Sequence, residues 1–216
     1  MDDSGPTGLQ KRFPNVYELK HHYRNGHQIC LVADELAKSW GGFDPLMPTC
    51  NYLEQKYPSS VTIHPCADLE AQIAQAVVNL ERQIKAYPDE YLGVLCPSRA
   101  SLRIVAAQLS NSTLQGRMVL QSGEDGYVAF ESEKPVCVCT VHGAKGLEFR
   151  VAHILEAESL KRSPLNRNIA YMAVTRAKTS LSIYHSKPIP GYLDSALAVV
   201  RGPVKPAKLE ELFGGS

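Results

Sequence analysis

An α/β fold with a mostly parallel sheet is predicted for this chain of 216 residues by three observations. Compact apolar runs of strand length, Y-L-G-V-L-C (91–96), V-C-V-C-T (136–140) and V-A-H-I-L (151–155), read as buried strands. Segments with a 3.6-residue apolar period stand between such runs. Strand, loop and helix follow one another around Y-L-G-V-L-C, P-S-R and the helix carrying Leu102, Val105 and Leu109, which is the repeating unit of a parallel sheet. An apolar fraction of 44% supplies a core for one α/β domain or two small ones.

Residues 1–14, rich in Gly, Pro and Asp, read as a flexible lead. Val16, Leu19 and Tyr23 open a patterned segment, and Ile29, Val32, Ala33, Leu36 and Ala37 then recur at helical spacing, predicting a helix from about His27 to Lys38 that G-G-F-D-P (41–45) ends. The period matters, because I-C-L-V-A-D-E (29–35) would otherwise pass for the apolar strand and acidic pair of an ATPase metal site. V-T-I-H (61–64) is a short strand, and Leu69, Ile73, Val77, Leu80 and Ile84 mark an amphipathic helix stopped by the Pro88 turn. Residues 110–134 are polar with two Gly-containing turns, and a hairpin is expected around G-E-D-G (123–126). A helix from Ile169 to Ala177 and a last strand L-S-I-Y-H (181–185) follow. The domain is read as 15–201. Residues 202–216 are read as a flexible tail, with P-V-K-P as linker and L-E-E-L-F (209–213) near its end. No internal repeats occur.

The net charge of +1 and the sequence pI near 7.6 give no dedicated basic surface, so any nucleic-acid contact must be local. Six cysteines without a C-x-x-C pair suit reduced thiols in a cytoplasm. No apolar run approaches the ~18 residues of a membrane span, and no membrane partner is expected. His21, His22, His27 and Cys30 cluster, and H-P-C (64–66) and C-V-C (137–139) occur later, but no spacing fits a standard zinc module. Two thiols of C-V-C on one ion are not expected, and no metal site is assigned.

Three stretches carry chemistry. T-V-H-G-A-K-G-L-E-F-R (140–150) resembles a phosphate loop without its parts: the order is Lys-Gly, the next residue is Leu, and no Gly-Lys pair occurs in the chain. Thr140, His142 and Lys145 offer donors, Glu148 an acceptor, and the two glycines a close backbone approach. On spacing alone, a tight turn with solvated charges fits equally well. In I-A-Y-M-A-V-T-R-A-K (169–178), Ile169, Met172 and Ala173 face a core while Arg176 projects. In L-K-H-H-Y-R-N (19–25), Tyr23 adjoins Arg24, a pair suited to stacking a base and clamping a phosphate. Taken singly, either arginine also reads as a surface residue.

In order and content, these stretches resemble the second RecA-like domain of superfamily 1 helicases of the UvrD/Rep type, over about residues 16–186. T-V-H-G-A-K-G-L-E-F and A-Y-M-A-V-T-R-A are its most specific motifs. The resemblance implies a RecA-like fold, the P-loop NTPase fold lacking its own phosphate loop. It implies that Tyr23 stacks on adenine and that Arg24 and Arg176 are arginine fingers. It further places Gly146 and Glu148 at the nucleotide, with Glu148 on the ribose. Thr140 and His142 would contact single-stranded DNA, and Lys145 would lie between the two ligands. ATP with Mg²⁺ is the implied cofactor, its metal ligands expected on a first RecA-like domain supplied in cis or trans. By itself the chain is not expected to hydrolyse ATP. The interval from Cys96 to Val136 is too short for the large accessory subdomain many relatives insert. The competing expectation is a stand-alone, non-catalytic module that binds DNA or a helicase partner.

Overall fold

Apolar strands must be covered on both faces, and the chain meets that demand with three layers. The structure, a computed structural model, describes residues 21–38, 44–122, 128–163 and 168–201. In chain order the elements are α1 (His27–Lys38), β1 (Ser60–Pro65), α2 (Leu69–Ala86), β2 (Leu92–Cys96), α3 (Arg99–Ser110), β3 (Met118–Gln121), β4 (Val136–Thr140), β5 (Phe149–Ile154), α4 (Ile169–Val174), β6 (Ala177–His185) and α5 (Gly191–Leu197). Short 3₁₀ turns lie at Met47–Thr49 and Ala157–Ser159. The six strands run β1-β6-β5-β2-β4-β3, and every neighbouring pair is parallel. The α/β fold expected from the sequence is therefore observed.

Successive strand residues face opposite sides, which divides the core in two. Leu95, Ile154, Leu181 and Ile183 pack with α1, α4 and α5. Leu92, Val94, Val138 and Tyr184 pack with α2 and α3. Asp68 caps α2 by accepting from the Ala71 N–H at 2.8 Å, and Ser98 caps α3 by accepting from the Ser101 N–H at 3.1 Å. The helix at 27–38 forms with the expected bounds, burying Ile29, Val32, Ala33 and Leu36. Asp34 of its A-D-E run accepts from the Leu46 and Met47 N–H groups at 2.6 and 3.0 Å. That carboxylate holds a turn.

Three expectations change. No hairpin is built on β3 among the described residues: β3 lies parallel to β4 at the sheet edge. G-E-D-G falls within 123–127, outside the described residues, but the chain beyond it is tied back by one side chain. The Gln121 amide donates to the Val128 carbonyl, and its oxygen accepts from the Val128 N–H at 3.2 Å.

The helix read as Ile169–Ala177 stops at Val174, and β6 begins at Ala177 instead of Leu181. Thr175 Oγ1 donates back to the Tyr171 carbonyl at 2.9 Å, and the Arg176 carbonyl accepts from the Phe149 N–H at 2.9 Å, drawing the chain into the sheet.

Cys137 and Cys139, two residues apart, share one strand face as free, buried thiols inside the core. A further helix, α5, was not read from the sequence. The lead 1–14 and the tail 202–216 lie outside the described residues. Among those described, no helix is long and apolar enough to cross a membrane.

Candidate functional site

The segment ahead of α1 is pinned to the amino end of β6. Gly26 N–H donates to the Lys178 carbonyl at 2.8 Å, and a Cβ at Gly26 would lie 2.2 Å from Ser59 Cβ, so only glycine fits so close an approach. Buried Asn25 directs its amide onto the Thr175 and Ala177 carbonyls, at 3.1 and 2.6 Å. Glu54 accepts from the His27 N–H at 3.0 Å and from the Ser59 N–H at 2.6 Å. Burial alone would raise that carboxyl, but the bonds from Ser59 and His27 hold it below its ordinary value.

This anchoring sets Tyr23 and Arg24 beside the strand ends. Tyr23 is 64% exposed. Arg24 Nη2 lies 2.6 Å from Glu148 Oε1, with the two side chains 49% and 33% exposed. Water screens so exposed a pair, which makes it a readily opened contact.

Arg176 is held more firmly. Its Nε donates to the Met172 carbonyl at 3.1 Å, and its Nη1 donates to the Leu147 and Ala144 carbonyls at 2.9 and 3.5 Å. Burial pushes its pKa below the ordinary arginine range, the nearby Arg24 adds to that, and Glu148 opposes it. The two guanidiniums and one carboxylate thus feel one another's charge, although they come from three separate segments.

The T-V-H-G-A-K-G loop links the two ends of the sheet. Thr140 closes β4 opposite Cys96 at the carboxyl end, where the Val141 N–H donates to the Cys96 carbonyl at 2.9 Å. Thr140 Oγ1 accepts from the Gly143 N–H at 2.9 Å, and its carbonyl accepts from the Ala144 N–H at 2.9 Å. Val141 and Ala144 are buried while His142 and Lys145 are exposed, so a helix-like turn buries one side and presents the other. Gly146 follows at φ +86°, left-handed backbone that favours glycine, and lets the chain turn toward β5. Glu148 precedes Phe149, which starts β5 at the amino end.

In open α/β sheets, ligands usually bind at the carboxyl ends of the strands. Arg24, Glu148 and Arg176 instead gather at the amino end, because Glu148 and Arg176 precede β5 and β6. Thr140 lies at the opposite edge, with His142 two residues into the loop. Two residues of this site were missed as participants. Asn25 stood in the quoted Y-R-N run without a role, and Thr175 shows its part only once α4 has ended. The signal for Asn25 was its place directly after Tyr-Arg; its partners are far along the chain.

The histidines and cysteines also arrange themselves differently from their local spacing. His22, Cys30 and Cys50 place ligand atoms within 4.8 Å of one another, although Cys50 was no part of the sequence cluster. His27 Nδ1 instead lies 4.0 Å from the Glu54 carboxylate.

Comparison with known proteins bears on the fold and on one stretch of the sequence. Residues 135–184, from the start of β4 almost to the end of β6, match the family model described as UvrD-like helicase C-terminal domain. The solved C-terminal domain of a possible DNA helicase from Lactobacillus plantarum WCFS1 superposes with a TM-score of 0.55 at 19% identity. The superposition covers 79% of this chain and 91% of that one, so the shared fold extends well beyond the matched residues. No curated protein matches the sequence.

Proposed function

We propose that this domain is the second motor domain of a UvrD-like, ATP-dependent DNA helicase or translocase, and that it supplies one wall of a composite ATP site. The observation that carries the reading is the convergence of Arg24, Glu148 and Arg176 at the amino end of β5 and β6, with the exposed Tyr23 ring beside them. Two guanidiniums suit phosphate oxygens, a carboxylate suits a ribose hydroxyl, and an open aromatic suits a base. The same donor set does not suit Mg²⁺, which binds through carboxylates and phosphates, since the one carboxylate here faces a guanidinium. In this reading, a first RecA-like domain supplies the phosphate loop and the metal ligands.

Nucleotide binding must open the Arg24–Glu148 pair, releasing Arg24 toward phosphate and Glu148 toward the sugar. ATP bound between the two domains would supply a phosphoryl group whose developing negative charge Arg176 and Arg24 stabilise. Single-stranded DNA would contact Thr140 and His142 at the other sheet edge.

The test joins the chain to a first RecA-like domain of a UvrD-like helicase and measures DNA-dependent ATP turnover. Arg176→Ala is expected to lower kcat by ~10³-fold or more while nucleotide affinity falls only modestly. Unchanged turnover would overturn the finger assignment. Tight single-strand binding without rescue of any ATPase half would favour the non-catalytic module.

A further inference from the structure

We propose that His22, Cys30 and Cys50 form a binding site for a thiophilic divalent cation, zinc in the first place, behind the segment that carries Tyr23 and Arg24. The ligand atoms come from three places: the stretch before α1, the first turn of α1, and the residue that closes the Met47–Thr49 turn. Cys30 is buried, and His22 and Cys50 are half-buried, so the site is sheltered without being sealed.

The spacing suits an ion. Cys30 Sγ lies 4.0 Å from His22 Nε2, and all three ligand atoms fall within 4.8 Å of one another. With Zn–S near 2.3 Å and Zn–N near 2.0 Å, tetrahedral ligands stand roughly 3.5–3.8 Å apart, so a contraction of at most about 1.3 Å completes the set. His22 and Cys50 are already paired across a parallel bridge: the His22 N–H donates to the Thr49 carbonyl at 3.0 Å, and the Asn51 N–H donates to the His22 carbonyl at 2.8 Å. That bridge holds two of the three donors together before any ion arrives. The Asn25 carbonyl oxygen, 3.4 Å from Cys30 Sγ and 3.3 Å from Cys50 Sγ, is a protein oxygen at hand for the fourth position, which a water could fill instead.

Binding has a defined balance. Each thiol gives up its proton to solvent and bonds the cation as thiolate. The His22 ring leaves its 2.8 Å bond to the Leu46 carbonyl and carries its proton on Nδ1, so that Nε2 bonds the metal. Two protons are released per ion, and no electron moves. Two thiolates and an imidazole favour zinc over magnesium or calcium, which require oxygen ligands.

The consequence is positional. Asn25, whose carbonyl faces both sulfurs, uses its side chain to hold the Thr175 and Ala177 carbonyls on either side of Arg176. An ion here would brace Arg24 and the Arg176 junction through one residue.

Co²⁺ titration of the reduced full chain tests the site. One equivalent should produce thiolate-to-cobalt charge transfer together with the visible bands of a tetrahedral centre, and Zn²⁺ should abolish both. In weakly buffered solution, two protons should appear per zinc bound, and the thermal midpoint should rise with zinc. Cys50→Ser and His22→Gln, both at half-buried positions, should weaken zinc at least ~10-fold with unchanged circular dichroism. Cys66→Ser should bind as the parent does. Absence of stoichiometric binding, or binding that survives Cys50→Ser, would overturn the proposal. So would loss of two thiols, without metal, to a Cys30–Cys50 disulfide.

Discussion

Asn25 shows how one polar side chain can set a site without touching a ligand. Its amide spans the Thr175 and Ala177 carbonyls in a buried position, and its neighbour Arg24 is placed as a result. Asn25→Ala should cost about 1–3 kcal/mol, because two acceptors are left without their donor. Urea denaturation would measure this, and a cost below ~0.5 kcal/mol would show that the carbonyls find other donors. Asn25→Asp should be worse, since it aims a carboxylate oxygen at a carbonyl. The sequence showed Tyr23 and Arg24 plainly, as an aromatic beside a guanidinium. Asn25 stayed silent because its partners are about 150 residues away, and no local pattern encodes that distance. The gathering of Cys50 with His22 and Cys30 was hidden for the same reason.

At the scale of elements, periodicity carried most of the fold. The helix His27–Lys38 was legible because its apolar residues keep the 3.6 period throughout, and the strands at 92–96 and 136–140 because they are apolar on both faces. β3 was not, since an edge strand of four residues amid polar neighbours has too little pattern to separate it from a hairpin arm.

A buried network ties these layers together. The Asn79 amide donates to Tyr184 Oη at 2.9 Å, Tyr184 Oη donates to His153 Nδ1 at 2.9 Å, and His153 Nε2 donates to Gln83 Oε1 at 2.7 Å. Burial, then the nearby His64, depress the His153 pKa to about 3. Above its unfolded value of ~6.5 neither state holds the proton, and its neutral ring stabilises fully. As pH falls below that value the unfolded chain takes up a proton and the folded chain does not. Stability is therefore lost progressively until pH reaches about 3. Between pH 7 and pH 5 the loss should approach ~2 kcal/mol. His64, half-exposed and also lowered by burial, adds in the same direction. The measurement is denaturant unfolding at both pH values in the parent and in His153→Gln, where this part of the difference should vanish. An unchanged difference would show that other groups carry it.

The whole molecule places its proposed ligands on opposite edges of one sheet, and a single loop joins them. Thr140 stands at the carboxyl end of β4, Glu148 at the amino end of β5, and the Arg176 guanidinium grips the Ala144 and Leu147 carbonyls between them. On the proposed reading, a phosphate that draws Arg176 forward would loosen that grip, and the loop's exposed face, with His142 and Lys145, would shift relative to the strand that carries Thr140. Binding at one end would thereby be coupled to binding at the other, and the coupling would be reciprocal for affinities. His142→Ala leaves the amino-end residues untouched, so in the joined two-domain protein it should leave basal ATP turnover near the parent value. DNA stimulation should fall ~5-fold or more, the lower range of ordinary coupling between sites. The net charge of +1 adds a second expectation: few phosphates are neutralised, so single-strand affinity should decline only shallowly with salt. Fluorescence anisotropy with a labelled oligonucleotide measures affinity across salt, and a coupled assay measures turnover with and without DNA. Equal loss of basal and stimulated rates in His142→Ala would place this residue in the folding of the loop, and the DNA-facing role would pass from His142.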